Sequence, residues 1–142
     1  MQAEEQNYGV VGEHDAKGPT MSVQEEKAWS ILAHLSIFLN LFTGFLGPIA
    51  ALVIWLVYRD RSSKVAFHAL QSMWYQVAWL VVLGIGWAFT GLLMMILIGF
   101  LLVPVMALLT LVPFAHAAYA AYRVSRDGDY RYPFVADLIE DR

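Results

Sequence analysis

The sequence predicts an all-α integral membrane protein: a bundle of four transmembrane helices with a disordered acidic tail before it and a short amphipathic segment after it. Composition gives the first reason, since 59% hydrophobic and 15% charged residues in a chain of 142 lie outside the habits of soluble domains. The second is the distribution of charge. Asp, Glu, Lys and Arg are absent from Ala28 to Tyr58, 31 residues, and from Val65 to Tyr122, 58 residues. A single crossing needs about 20 residues, so each stretch can hold two.

Residues 1–21 form the predicted tail: Glu4, Glu5, Glu13 and Asp15 stand among Gly9, Gly12, Gly18 and Pro19, with too little apolar surface to offset ordering entropy. No apolar core resembling a cleavable signal precedes the first helix. Residues 22–126 are the expected transmembrane domain. Ser22 followed by Glu25 fits a capping box, which starts helix one near Ser22. That helix is expected to run through Trp29, His34 and Phe38 to Asn40, where Thr43, Gly44 and Gly47-Pro48 break it. Helix two, Pro48 to Arg59, is short for a perpendicular crossing. Helix three starts near Ser63 and helix four ends near Arg123, with the reversal between Trp87 and Leu102 and with Gly91 and Gly99 as its best candidates.

Arg59, Arg61 and Lys64 lie in one loop of six residues, and Arg123 and Arg126 follow the last apolar run. Cations resist translocation, so these residues mark the cytoplasmic side and offer contacts to lipid headgroups. Four crossings place both termini there, in the bacterial plasma membrane, with all nine Lys and Arg on one side. A three-crossing alternative, with Ala28 to Tyr58 as one kinked span, also satisfies the charge bias. Trp29, Trp55, Tyr58, Tyr119 and Tyr122 fit an aromatic belt at the same boundary. Gly47 with Ala51, Gly84 with Ala88, and Ala117 with Ala121 are small pairs that let helix backbones approach, and are expected as internal seams. Pro113 predicts a static bend within helix four, with Pro104 nearer its start.

Ionisable groups inside a membrane are functional candidates. His34, His68 and His116 all fall about 5 to 10 Å below the cytoplasmic boundary at 1.5 Å per helical residue. Gln71 and Ser72 share a helical face with His68, Ser30 stands four residues before His34, and Gln76 lies further along helix three. Three readings of this cluster stay open: interhelical hydrogen-bond glue, a polar translocation path, and ligation of haem or metal by two imidazoles. No metal motif is present, and no cofactor is expected. No carboxylate lies in either apolar stretch to orient a histidine, so the chain is not expected to be an enzyme. The absence of cysteine excludes disulfides, thiolate metal sites and thiol nucleophiles. The short basic clusters sit beside apolar runs, which points away from nucleic acid.

Residues 127–142 begin with the turn Asp127-Gly128-Asp129. Phe134, Val135, Leu138 and Ile139 then make one helical stripe, with Asp137, Glu140 and Asp141 elsewhere. The acidic face disfavours anionic lipid, so docking on the bundle itself or on a partner protein is expected.

Ala33-His34-Leu35, Gly47-Pro48 followed by Trp55, Phe67-His68-Ala69-Leu70-Gln71 and Arg131-Tyr132-Pro133-Phe134 occur in an order that resembles the small bacterial membrane family called domain of unknown function forty-eight seventy, related to the Tic-twenty component of chloroplast protein import. Met73-Trp74-Tyr75-Gln76 departs from that family's asparagine and aromatic before the glutamine. The resemblance implies a four-helix membrane fold and singles out His34, His68, Gln71, Gln76 and the Tyr132-Pro133 pair, with Phe134 closing the C-terminal motif. Function is then expected to be that of a noncatalytic accessory or scaffold subunit aiding insertion, assembly or stability of membrane proteins. The alternatives are a small channel or transport unit and, third, a haem or pigment-complex electron-transfer subunit. Expected partners are membrane lipids and a membrane protein or further copies of the chain.

Overall fold

The computed structural model describes residues 21–140, and these are all helix and connecting turn, with no strand among them. All but the last residue of the expected tail of 1–21 lies outside the described residues. Helix α1 spans Val23–Leu35, α2 Asn40–Thr43, α3 Leu46–Tyr58, α4 Ser63–Met94, α5 Gly99–Asp127 and α6 Val135–Glu140. The capping box forms: Ser22 Oγ accepts from Glu25 N at 3.2 Å, and Glu25 Oε2 accepts from Ser22 N at 2.8 Å.

The first helix does not continue to Asn40 as one α-helix, because Ser36–Leu39 tightens into a 3₁₀ turn. The Ala33 carbonyl explains this. It accepts Ser36 Oγ at 2.8 Å and Ser72 Oγ at 2.6 Å, and hydroxyl back-bonding of this kind loosens the regular ladder. Gly44 then closes α2 in the left-handed region at φ 81, where a side chain would be strained. Asn40 and Thr43, which the sequence marks only as breakers, cap the next helix: Asn40 Oδ1 accepts from Gly47 N at 2.7 Å and Thr43 Oγ1 from Leu46 N at 3.2 Å.

Two helices, α4 and α5, are long and apolar enough to cross a bilayer. With 32 residues, α4 is ~48 Å long, whereas the 13 residues of α3 give only ~20 Å. The reversal between them is Met95–Ile98, with Leu97 at φ 66. Gly99 is buried where α5 begins, and a Cβ there would stand 2.5 Å from Thr90 O. Gly91, the other candidate for the reversal, lies inside α4. Pro104 and Pro113 both sit within α5, which runs through them.

Packing is inverted relative to a water-soluble domain. The buried apolar residues are mostly small, including Ala33, Ala51, Ala69, Ala117, Ala120 and Ala121. Phe42, Ile85, Leu92, Leu101 and Leu108 face outward. Small residues let helices close where surrounding lipid offers no hydrophobic drive. Gly47 and Ala51 make a seam of this kind, as do Ala117 and Ala121. Gly84 and Ala88 do not: both are exposed, and nothing lies within 4 Å of where a Gly84 Cβ would stand.

Candidate functional site

The largest fully buried side chains include Tyr132, His34, His68, Gln71 and Gln76, and the network they form joins α1, α4, α5 and the segment after α5. His34 comes from α1, one turn beyond buried Ser30, whose hydroxyl donates back to Glu26 O at 2.7 Å. His68, Gln71, Ser72, Tyr75 and Gln76 come from one face of α4, at the spacing of three or four residues that brings side chains together. His116 comes from α5 and is half-buried.

Backbone groups fix the hydrogen-bond directions. Gln71 Oε1 accepts from Tyr132 N at 3.1 Å, and Gln71 Nε2 donates to Tyr130 O at 2.7 Å, so its amide can point only one way. Its Nε2 also lies 3.1 Å from His68 Nδ1, which makes that nitrogen the acceptor. His34 Nε2, 3.2 Å from the same atom, must then carry a proton. His34 Nδ1 is left to accept from Tyr132 Oη at 3.3 Å. Burial pushes the Tyr132 phenol up, with Tyr75 and Tyr130 adding to the effect, which keeps that donor protonated. The chain of donors runs from Tyr132 through His34 to His68, whose Nε2 faces Asp129 Oδ1 at 3.1 Å. This last contact is off the line of a well-directed hydrogen bond and is chiefly electrostatic.

A second branch holds His116 between two phenols, Tyr75 Oη at 2.8 Å from Nδ1 and Tyr130 Oη at 2.6 Å from Nε2. Burial also raises the Tyr130 phenol, with Tyr119 contributing. Tyr132 connects the branches, since its ring stacks on Tyr75 and stands edge-on to both His34 and His116. The third branch is Gln76, whose Nε2 donates to Ser36 Oγ at 2.9 Å and Ser72 Oγ at 3.0 Å.

The six residues expected as an intramembrane cluster, His34, His68, Gln71, Ser72, Gln76 and His116, thus meet at one end of the bundle. His34, His68 and Gln71 bond directly, His116 joins through tyrosines, and Ser72 with Gln76 lies deeper. Sequence reasoning missed Asp129, Tyr130 and Ser36. The aromatic Tyr75 sits on the face that carries His68, Gln71 and Ser72, and that spacing was the available signal for it.

The facing imidazole nitrogens are hydrogen-bonded and too close for ligation of one iron from opposite sides. Nitrogens on opposite sides of a metal stand about 4 Å apart, twice a bond of about 2.0 Å, whereas His34 Nε2 and His68 Nδ1 are 3.2 Å apart. No group of three His, Cys, Asp or Glu able to hold a metal ion occurs among the described residues.

The basic residues ring the same end. Arg59 pairs with Asp60 at 3.6 Å and lies over Trp55, and Arg123 pairs with Asp127 at 2.7 Å and lies over Tyr119. Arg126 covers Tyr122, and Lys64 and Arg61 flank the start of α4. In the C-terminal motif, Tyr132 is buried, whereas Pro133 and Phe134 are exposed, Phe134 at φ 67. Arg131 bonds Glu140 at 2.5 Å, and that partner raises its already high pKa. Helix α6 rests on α4 through buried Ala136 and through Ile139 beside Leu70 and Trp74.

An all-helical chain with two apolar helices long enough to cross a bilayer, apolar residues outside and polar residues inside belongs to the class of helical membrane proteins. The model of the magnetosome magnetite crystal formation protein family matches residues 25–139, and the chain belongs to that family. No curated protein and no solved structure matches it. The family match overturns the resemblance to domain of unknown function forty-eight seventy and the link to Tic-twenty. His34, His68, Gln71 and Tyr132, which carried that resemblance, are the residues that hold the helix ends together. They report how the bundle closes, and a closing device of this kind does not specify a role.

Proposed function

We propose that the chain is a noncatalytic accessory subunit of the magnetosome membrane, supporting magnetite crystal formation by holding a membrane-protein partner rather than by reacting with iron itself. Four crossings are part of this reading: Val23–Thr43 and α3 make a short first hairpin, α4 and α5 a long second one, with both termini and all nine Lys and Arg on the cytoplasmic side. The turns at the opposite end, residues 40–46 and 95–98, carry no acidic residue or histidine with which to bind iron or a mineral face.

One observation carries the proposal. The buried polar groups bond to one another and to the backbone of Tyr130 and Tyr132, so they act as a clamp on the C-terminal segment. The bonds that His34 and Gln71 make with His68 and with this segment support such a role over a translocation path, whose lining groups would need to be free to exchange partners with the permeating species. The clamp sets α6 on α4 and leaves Phe134 87% exposed and Leu138, at the edge of the contact with Leu70 and Trp74, 60% exposed. These two apolar side chains, four residues apart and flanked by Asp137 and Glu140, suit a protein surface better than anionic headgroups.

The test is replacement of the gene in magnetite-forming cells by Phe134→Asp/Leu138→Asp. Crystals reduced in size or number, with the variant still present in the magnetosome membrane, are expected. Crystals of normal size distribution when the chain is deleted would overturn the proposal.

A further inference from the structure

The buried polar network fixes how far each hairpin reaches. Gln76 Nε2 donates to Ser36 Oγ and its Oε1 packs on Gly47, so the end of α1 and the start of α3 are level with Gln76. The section of α4 from Val65 to Gln76 is ~17 Å long, about one leaflet of a bilayer whose hydrocarbon core is ~30 Å thick. Beyond that level α4 continues to Met94, ~27 Å further, with α5 beside it. Only the turn of residues 37–46 accompanies them, and nothing stands within 4 Å of where a Gly84 Cβ would be. Burial follows the same division. Seven of the 12 residues from Val65 to Gln76 are buried, whereas from Val77 to Met94 only Thr90 is.

Lipid is what suits the two-helix section. Val81, Val82, Gly84, Ile85, Trp87 and Phe89 are exposed and, at about 100° per residue, spread over more than half of the circumference of α4. A helix docked on one partner hides a stripe of about 100°. The polar groups of this section are already spent: Trp87 Nε1 donates to Thr110 Oγ1 at 3.1 Å, and the hydroxyls of Thr90 and Thr110 return to Gly86 O and Met106 O. Such a surface needs only hydrocarbon around it.

We propose that the chain is a wedge, four helices wide in the leaflet at its basic end and two helices wide in the other, and that its preferred partner is a bilayer curved with the basic end on the convex side. In a flat bilayer, lipids of the second leaflet must stretch, tilt and thin to fill the space under the first hairpin, a mismatch cost that curvature relieves. The basic end is cytoplasmic in the topology proposed above, and the inference rests on that reading only for which leaflet is convex.

The test uses the full chain carrying Asp60→Cys, its one cysteine, in vesicles of mixed size. Copies with the basic end outward are labelled with an impermeant maleimide dye, the remaining copies then with a permeant dye of a second colour, and each colour is read per membrane area on single vesicles. From the largest vesicles to the smallest, the density of outward copies should rise about two-fold or more and that of inward copies should fall. Densities independent of vesicle size, or a rise of both colours together, would overturn the proposal. Phe134→Asp/Leu138→Asp should sort as the parent does. Loss of sorting in that variant would assign it to insertion of α6 and overturn the wedge. Because the sign refers to the basic end, labelling of Asp60→Cys in cells from the non-cytoplasmic side would overturn the topology and leave the wedge standing.

Discussion

The Tyr132 ring lies flat on Tyr75, centroids 4.0 Å apart and planes 9° from parallel, so the chain beyond α5 is held to the middle of α4's polar face. Tyr132→Ala removes a fully buried aromatic and should cost about 3–5 kcal/mol. Tyr132→Phe keeps the stack and loses only the hydrogen bond to His34, costing ~1 kcal/mol. Thermal unfolding in mild detergent should rank the proteins in that order, with protease cutting after Arg126 or Arg131 enhanced only in the alanine variant.

Two glycines predict opposite outcomes. At Gly47 a Cβ would meet Asn40 Oδ1 at 2.8 Å, so Gly47→Ala should destabilise by about 1–3 kcal/mol through overpacking. Nothing lies near Gly91, and Gly91→Ala should be neutral or stabilising by up to ~1 kcal/mol, the helical cost of glycine. Equal melting temperatures for the two variants would contradict the assigned seam.

The start of α1 should respond to acid. The Ser22 backbone amide, followed by the Ser22 hydroxyl, holds the Glu25 carboxyl below its ordinary value of 4.5. A depressed folded-state pKa contributes stability that is complete above the unfolded value and is lost as pH falls through the folded one. Fraying at Ser22–Glu25, read by amide hydrogen exchange, is therefore expected only below about pH 4.5, and Glu25→Gln should remove the pH dependence.

Much of this was legible in the chain because charge absence, caps and glycines act locally. Ser22 with Glu25 marked the first helix, the Arg59–Lys64 loop marked the turn into α4, and helical spacing put His68, Gln71 and Ser72 on one face. The 3₁₀ turn was not legible, since it depends on Ser72 reaching across to Ala33 from another helix. Asp129 and Tyr130 were missed for the same reason: their roles arise only when the segment after α5 folds back onto α4. Gly84 with Ala88 has the spacing of a seam, but the first hairpin is too short to reach it.

The proposed four crossings can be checked because the chain contains no cysteine, so any introduced one is unique. Asp60→Cys and Asp137→Cys should react with an impermeant maleimide from the cytoplasmic side, and Phe42→Cys and Met95→Cys only from the other. Labelling of Phe42→Cys from the cytoplasmic side would contradict the first hairpin as a pair of crossings.

The most direct test of the accessory role is native mass spectrometry of the chain extracted from magnetosome membrane in a lipid-preserving detergent, wild type beside Tyr132→Ala. A stoichiometric protein partner on the wild type, lost when the clamp is opened, is the predicted result. A wild-type chain carrying only lipids, alone or with copies of itself, would contradict it.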